Sequence, residues 1–218
     1  MFDSRIPKFI PEWAEASLAG ETNILAKSNQ GTILLFKEGG MEFVVKTAMG
    51  GGATRKARQA TLERECAAYS KLNGVSGIPK CYGMVAGRYL VLEHVHGTPY
   101  RGTEFENRDQ WFTQLLSILR EIHSRGVSHG DLKSKSNLIV TERGRPCVID
   151  FGTTFLWKEG FHPINNRMFD YLVQLDINAW VKHKYHGHYE EASEEDKKLL
   201  QYSRAEAVLR KYRKWRDS

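Results

Sequence analysis

Within nine residues, His129-Gly130-Asp131-Leu132-Lys133-Ser134-Lys135-Ser136-Asn137, the chain brings together an imidazole, a carboxylate, an ammonium and a carboxamide. Such a set can take a proton from a hydroxyl, neutralise a developing anion and offer oxygen ligands to a divalent cation. Asp150-Phe151-Gly152 follows the short apolar run Cys147-Val148-Ile149. A carboxylate at a strand end can hold a divalent cation, and the glycine lets the backbone turn sharply away. Two further charges lie upstream. Lys46 closes the run Phe43-Val44-Val45-Lys46, so its ammonium can point into a cleft, where it needs a counter-ion. Glu65 shares a helical face with Leu62, Tyr69 and Leu72, and it faces inward if that face packs on a sheet. Together these groups describe a site for a nucleoside triphosphate. Lys46 would meet the α- and β-phosphates, Glu65 would hold that lysine, Asn137 and Asp150 would take the metal, and Asp131 would sit at an acceptor hydroxyl.

The elements that must position them follow from periodicity. Ile33 to Phe36, the turn Lys37-Glu38-Gly39-Gly40 and Phe43 to Lys46 read as a hairpin whose glycines supply positive φ angles. After a glycine-rich and basic connection over 50–58, apolar positions at three- and four-residue steps predict a helix over about 57–72, ended by Gly74 and Gly77-Ile78-Pro79. Arg88 to Val95 reads as a buried strand leading into a linker. Trp111, Phe112, Leu115, Leu116, Leu119 and Ile122 form a helical stripe, and Leu138 to Val140 and Cys147 to Ile149 are short strands around a turn. The order predicts an α+β fold in two lobes: residues 1–95 as an antiparallel sheet plus one helix, and 96–218 as a mainly helical lobe.

At 218 residues, 41% hydrophobic and 27% charged, the chain can bury a core and is neither disordered nor fibrous. Cys66, Cys81 and Cys147 form no CxxC pair, which argues against a zinc ribbon or a disulfide scaffold. No apolar run approaches the roughly 20 residues needed to cross a bilayer, and the N-terminus lacks the pattern of a signal peptide. A cytoplasmic protein is the expectation. Most of the net charge of +6 sits in residues 204–218. There Ala205, Val208, Leu209, Tyr212 and Trp215 make the apolar stripe of a helix, expected to be capped by Ser193, whose basic face either packs away or attracts anionic lipid or nucleic acid. His183, His186 and His188 lack a completing ligand or a fixed geometry, so a solvated loop is expected there in place of zinc.

The motifs resemble the protein-kinase-like superfamily in the right order from about Gly31 to Asp176. VVKTA at 44–48 resembles the strand lysine motif and Glu65 its partner. LVLEHVHG at 90–97 resembles the hinge, HGDLKSKSN the catalytic loop and IDFG at 149–152 the metal-binding triplet. The resemblance implies ATP and Mg2+ as cofactors, Asp131 as the base or hydroxyl-orienting group, and Asn137 and Asp150 as magnesium ligands. It implies Lys133 as the cation that neutralises the transferring phosphate. Backbone atoms of Glu93 and Val95 would meet adenine, with Leu92 behind the ring. Gly31 would be all that remains of the phosphate-covering glycine loop. Gly130 replaces the usual arginine and no APE follows, so a phosphorylated activation segment is not expected. Asp131 to Asn137 is one residue longer than usual, which requires a bulged loop or Ser136 as the alternative ligand. The short stretch after Gly152 resembles compact members such as the lipopolysaccharide core (Kdo and heptose) kinases and the RIO and KEOPS kinases. In these, a helix like Arg167 to Trp180 supports the catalytic loop, here through Asp176. The resemblance thus implies transfer of the γ-phosphate of ATP to a hydroxyl, first of a lipopolysaccharide core sugar at the inner membrane face. The alternatives are a compact Ser/Thr protein kinase acting on a protein substrate, and a nucleotide-binding pseudokinase.

Overall fold

The alternation across residues 33–46 folds as an antiparallel hairpin. β2 (Gly31–Glu38) and β3 (Met41–Ala48) pair from Gly31↔Ala48 to Glu38↔Met41. Gly39 and Gly40 take φ of 58° and 75°, the left-handed pair that a two-residue connection between twisted strands requires. β1 (Ile24–Lys27), β4 (Cys81–Val85) and β5 (Tyr89–Glu93) complete a five-stranded antiparallel sheet in the order β1-β2-β3-β5-β4. The computed structural model describes residues 6–27 and 31–201. The apolar stripe over 205–215 and its basic opposite face lie outside the described residues.

Side chains alternate between the two faces of this sheet. Leu34, Phe36, Phe43, Val45, Tyr89 and Val91 are buried on one face. That face is covered by α1 (Ile10–Ala19), whose Ile10 and Ala14 are fully buried and whose Trp13 ring meets Phe36 edge-on at 5.0 Å. The expectation of a sheet plus one helix is therefore corrected: residues 6–95 contain two. α1 is only ten residues long, and such a helix takes its stability from the tertiary surface it covers, a surface that local periodicity does not show. Pro11 and Glu12 in its first turn are local signals of a helix start. The opposite face of the sheet receives α2 (Gly52–Lys71), which buries Glu65, Ala68 and Tyr69. The helix starts about five residues before the expected boundary and takes in most of the basic connection.

β6 (Gly97–Pro99) follows β5 and pairs with β8 (Leu138–Thr141), which pairs in turn with β9 (Pro146–Val148). α3 (Arg108–Ser124) buries Trp111, Phe112, Leu115, Leu119 and Ile122 of the stripe read from sequence, with Leu116 partly buried against the core, and the Asn107 side chain caps it by accepting from Gln110 N at 3.0 Å. β7 (Val127–Ser128) and β10 (Phe155–Leu156) form a small two-stranded sheet next to α4 (Pro163–Lys184). Trp180 on α4 donates its indole N–H to the Phe112 carbonyl at 2.9 Å, locking α4 to α3. Ser193 does cap a helix, but it is the short α5 (Glu194–Leu199). The Lys184 ammonium and the Tyr185 hydroxyl both grip Asp196 on that helix at 2.6 Å.

One core runs through both halves, from Ala68, Tyr69 and Leu92 through Leu138 and Phe151 to Leu115 and Trp180. Cys66, Cys81 and Cys147 are free thiols, and the fold brings the first two sulfurs to 4.0 Å. Among the described residues no helix is long and apolar enough to cross a membrane. Because Ile10 is fully buried, Ile10→Ala should lower the unfolding free energy by about 2–5 kcal/mol, measured as a shift of the urea midpoint at unchanged m value.

Candidate functional site

Lys46 and Glu65 meet across the junction of β3 and α2. β3 alternation turns Lys46 toward α2, where Glu65 is 2% exposed, and the Lys46 ammonium donates to Glu65 Oε1 at 2.7 Å. It also donates to Asp150 Oδ1 at 2.9 Å, so one buried cation bridges two carboxylates that are 85 residues apart in sequence. Burial works against the ammonium, but Glu65 and Asp150 outweigh it and hold the Lys46 pKa above its usual value. For Glu65 burial dominates and raises the carboxyl, with Lys46 opposing. For Asp150 burial is outweighed by Lys46, and the carboxyl stays below its ordinary range. Removing Glu65, the shielded partner, strands the Lys46 ammonium and costs about 3–5 kcal/mol, whereas the half-exposed Asp150 contributes less.

The remaining groups arrive on the β8–β9 hairpin. Leu138 pairs with Val148, and one step further the Asn137 carbonyl accepts from Ile149 N at 2.9 Å, which sets Asn137 beside the residue preceding Asp150. The extra residue of the 131–137 loop is absorbed by a short 3-10 turn, Lys135–Asn137. Asn137 is buried, and its Nδ2 donates to the Asp131 carbonyl at 3.0 Å and to Asp131 Oδ2 at 3.4 Å. With Nδ2 so engaged, Oδ1 is the end that can meet a cation. Ser136, the alternative ligand, is exposed and bonded to Ser134 Oγ at 2.8 Å. The Lys133 ammonium is exposed, 3.8 Å from Asp131 Oδ1.

α4 holds this loop from beneath. Asp176, 1% exposed, accepts from His129 N at 2.8 Å, from Gly130 N at 3.0 Å and from His123 Nε2 at 3.1 Å. Seven residues on, two helical turns along the same face, His183 donates from Nε2 to the Leu132 carbonyl at 2.8 Å. Burial holds the His183 imidazole below its usual pKa. This corrects the reading of His183 as part of a solvated loop: it is a second buttress for the loop, and its spacing from Asp176 was the signal. His129 Nδ1 accepts from Asp131 N at 3.2 Å, so its proton sits on Nε2 and is donated to the Ile149 carbonyl at 3.0 Å. Phe151, fully buried, lies between the rings of Tyr69 at 5.0 Å and His129 at 4.9 Å and so ties α2 to the loop. Asp150 takes a left-handed φ of 66°, held by its N–H donating to the Tyr69 hydroxyl oxygen at 3.2 Å.

Gly130 replaces a bulky residue for a steric reason. Its φ is 80°, and a Cβ there would lie 2.6 Å from the Thr153 carbonyl. Thr153 Oγ1 donates to the His129 carbonyl at 3.1 Å and Thr154 Oγ1 to the Ser128 carbonyl at 2.6 Å, so the segment after Gly152 lies directly on the loop. Gly31 opens β2, where any side chain would collide with the Thr47 carbonyl, and it lines a cavity with Ile33, Lys46, Arg58, Glu65 and Asp150. Arg58 is an addition to the residues read from sequence. Its guanidinium donates to Met49 O at 2.7 Å and brings a second cation to the cavity wall. On β5, Leu92 is buried opposite Val44. Glu93 exchanges hydrogen bonds with Lys80, N to O and N to Oε2, both at 2.8 Å, and Val95 follows in the connection to β6.

Residues 24–170, more than half of the chain, match the family model described as the protein kinase domain. Among curated proteins, the chain is 39% identical over 67 residues to serine/threonine-protein kinase ppk34 of Schizosaccharomyces pombe, covering 30% of this chain and 19% of that protein. It is 39% identical over 77 residues to CBL-interacting serine/threonine-protein kinase 13 of Arabidopsis thaliana, covering 33% and 15%. To serine/threonine-protein kinase grp of Drosophila melanogaster it is 34% identical over 77 residues, covering 32% and 15%. The matched stretch is thus less than a fifth of the length of each of these relatives.

The Gly130 geometry has a measurable consequence. Gly130→Ala should destabilise the fold by about 1–3 kcal/mol, seen as a lower thermal midpoint. The same change at Gly144, which has a positive φ but open space around it, should carry the backbone cost without the collision and so a smaller loss.

Proposed function

We propose, because this chain belongs to the protein kinase domain family, that it transfers the γ-phosphoryl group of ATP to a hydroxyl of a protein serine or threonine. The observation that supports this reading is that Lys46 bonds Glu65 and Asp150, while Asn137, bonded to Asp131, also accepts through its carbonyl from Ile149 N, the residue before Asp150. In this reading the chain divides after residue 95 into two lobes, and the triphosphate lies between them.

Each side chain then has a task. Lys46, held by Glu65, meets the α- and β-phosphates, and Arg58 and Gly31 stand at the wall and roof of the same cavity. Leu92 closes the back of the adenine site, and the backbone of Glu93 and Val95 meets the base edge. The donor set suits Mg2+, because the Asp150 carboxylate and the Asn137 amide oxygen are hard oxygen ligands. When bound, magnesium supplies charge neutralisation across the phosphate oxygens. Asp131 orients the acceptor hydroxyl and receives its proton, and the exposed Lys133 ammonium next to it offsets charge on the phosphoryl group in flight. Asp176 and His183 keep the loop in place, so catalysis draws mainly on positioning.

A protein acceptor is favoured by the names of the relatives, all serine/threonine-protein kinases, and by Lys133 beside Asp131. A lipopolysaccharide sugar finds no support among these matches. The cationic face that pointed to an anionic glycolipid, a membrane or nucleic acid falls on residues outside those described. Turnover is favoured over nucleotide binding alone, because the longer loop still delivers Asn137 to Asp131.

With labelled ATP and magnesium, wild type should label polypeptides in a cell lysate, and Asp131→Asn should lower the rate by about 100- to 10,000-fold while still binding ATP. Asp150→Ala should lose the magnesium-dependent part of the thermal shift produced by ATP. Label on core oligosaccharide alone would replace the protein acceptor by a sugar. Undiminished labelling by Asp131→Asn would remove Asp131 from the mechanism, and no labelling by wild type would leave a nucleotide-binding protein without turnover.

A further inference from the structure

A second cluster lies at the other end of the same sheet face. β3 and β5 pair antiparallel with Phe43 opposite Glu93, so the next step of the register sets Glu42 opposite His94. Glu42, Val44 and Lys46 share one face by alternation, as do Leu90, Leu92 and His94, and this is the face turned toward the cleft. His96 follows His94 by two residues, the spacing that returns a side chain to the same side of an extended chain. The outcome is convergence on a single atom: Glu42 Oε2 lies 2.9 Å from His94 Nδ1 and 3.2 Å from His96 Nε2. One ligand atom from each of the three lies within 4.8 Å of the other two. Glu42 and His94 are largely shielded from solvent and His96 is half exposed.

From this geometry we propose that Glu42, His94 and His96 form a binding site for a divalent transition metal of the zinc class, clamping the hinge to β3. Two imidazoles and one carboxylate are the donor types that Zn2+ prefers. With metal–ligand bonds of about 2.0–2.2 Å, a tetrahedral site places neighbouring ligand atoms about 3.3–3.6 Å apart. Two of the separations here, 2.9 and 3.2 Å, fall a little short of that range, so the ligands spread slightly to admit the ion. Three protein ligands leave a fourth position on the exposed side, next to His96, for water. Lys37 holds the other carboxylate oxygen, Oε1, at 2.6 Å, which fixes the rotation of the Glu42 carboxylate and leaves Oε2 for the ion. Neither histidine has a part in phosphoryl transfer, so the site is independent of the reading above. Hard, oxygen-seeking Mg2+ belongs with Asp150 and Asn137, and the imidazole-rich cluster selects a different ion.

The experiment uses the full chain freed of any polyhistidine tag and dialysed against chelator, with Zn2+ alone as the probe. Isothermal titration should give one Zn2+ per chain for wild type, and zinc at a hundredfold excess over its Kd should raise the Tm by about 5–10 °C. Co2+ in its place should give the visible absorption of a four-coordinate site. His96→Gln and Glu42→Gln should each lose the calorimetric signal and the shift, and His96→Gln, at the half-exposed member, should keep the metal-free Tm within about 2 °C of wild type, which separates lost binding from lost folding. Wild type without stoichiometric zinc binding would overturn the proposal. So would variants that bind zinc like wild type, which would place the ion on other residues.

Discussion

A single buried ammonium organises the cleft. Lys46 sits between Glu65 on α2 and Asp150 beyond β9; the contact with Glu65 is shielded from water, while the Asp150 side chain stays open to the solvent side. Taking these charges from water costs free energy, which their mutual attraction recovers only in one geometry. The cluster therefore makes demands on three elements at once: the register of β3, the rotation of α2 and the left-handed turn at Asp150. Packing meets the same demands. Phe151 lies against Tyr69 of α2, and the Tyr69 hydroxyl holds the backbone of Asp150. Electrostatics and the core thus specify the same arrangement, and a shift of α2 would disturb both.

The loop from His129 to Asn137 depends on a separate support. Asp176 and His183 reach it from one face of α4, at backbone N–H groups and at a carbonyl, and so fix its main chain without touching its functional side chains. α4 begins at Pro163, shortly after β10, and the segment that leads into β10 is pinned on the loop by Thr153 and Thr154. Such a compact route leaves no room for a side chain at residue 130. The glycine is therefore the steric counterpart of the short connection, in place of an arginine that would read a phosphorylated segment.

What could be read from the chain beforehand was local. The hairpin, the α3 stripe and the inward aim of Lys46 and Glu65 follow from periods of two and 3.6 residues, because burial of one face selects those periods, and the strand within 88–95 follows from its dense apolar run. Glu65 was legible because an acid within an apolar stripe implies a partner. α1 was missed because its ten residues are stabilised mainly by a sheet face that did not yet exist in the reading. Arg58 looked like one basic residue among several until α2 was seen to begin at Gly52 and carry it to the cavity. His183 was misread because three nearby histidines suggested one shared role, whereas the end of α4 separates the buried one from the exposed His188.

By itself, then, the sequence determined the residue types, their order and the faces on which they fall, since these depend on backbone periodicity and on turn residues close along the chain. The tertiary structure alone decided which faces meet. The bridge from Lys46 to Asp150 spans 104 positions, the support of Gly130 by Asp176 spans 46, and Glu42 meets His94 only through the pairing of two strands. No short-range rule specifies such distances, because the closure of each loop is set by the total free energy of the core and not by any propensity of the residues at its ends.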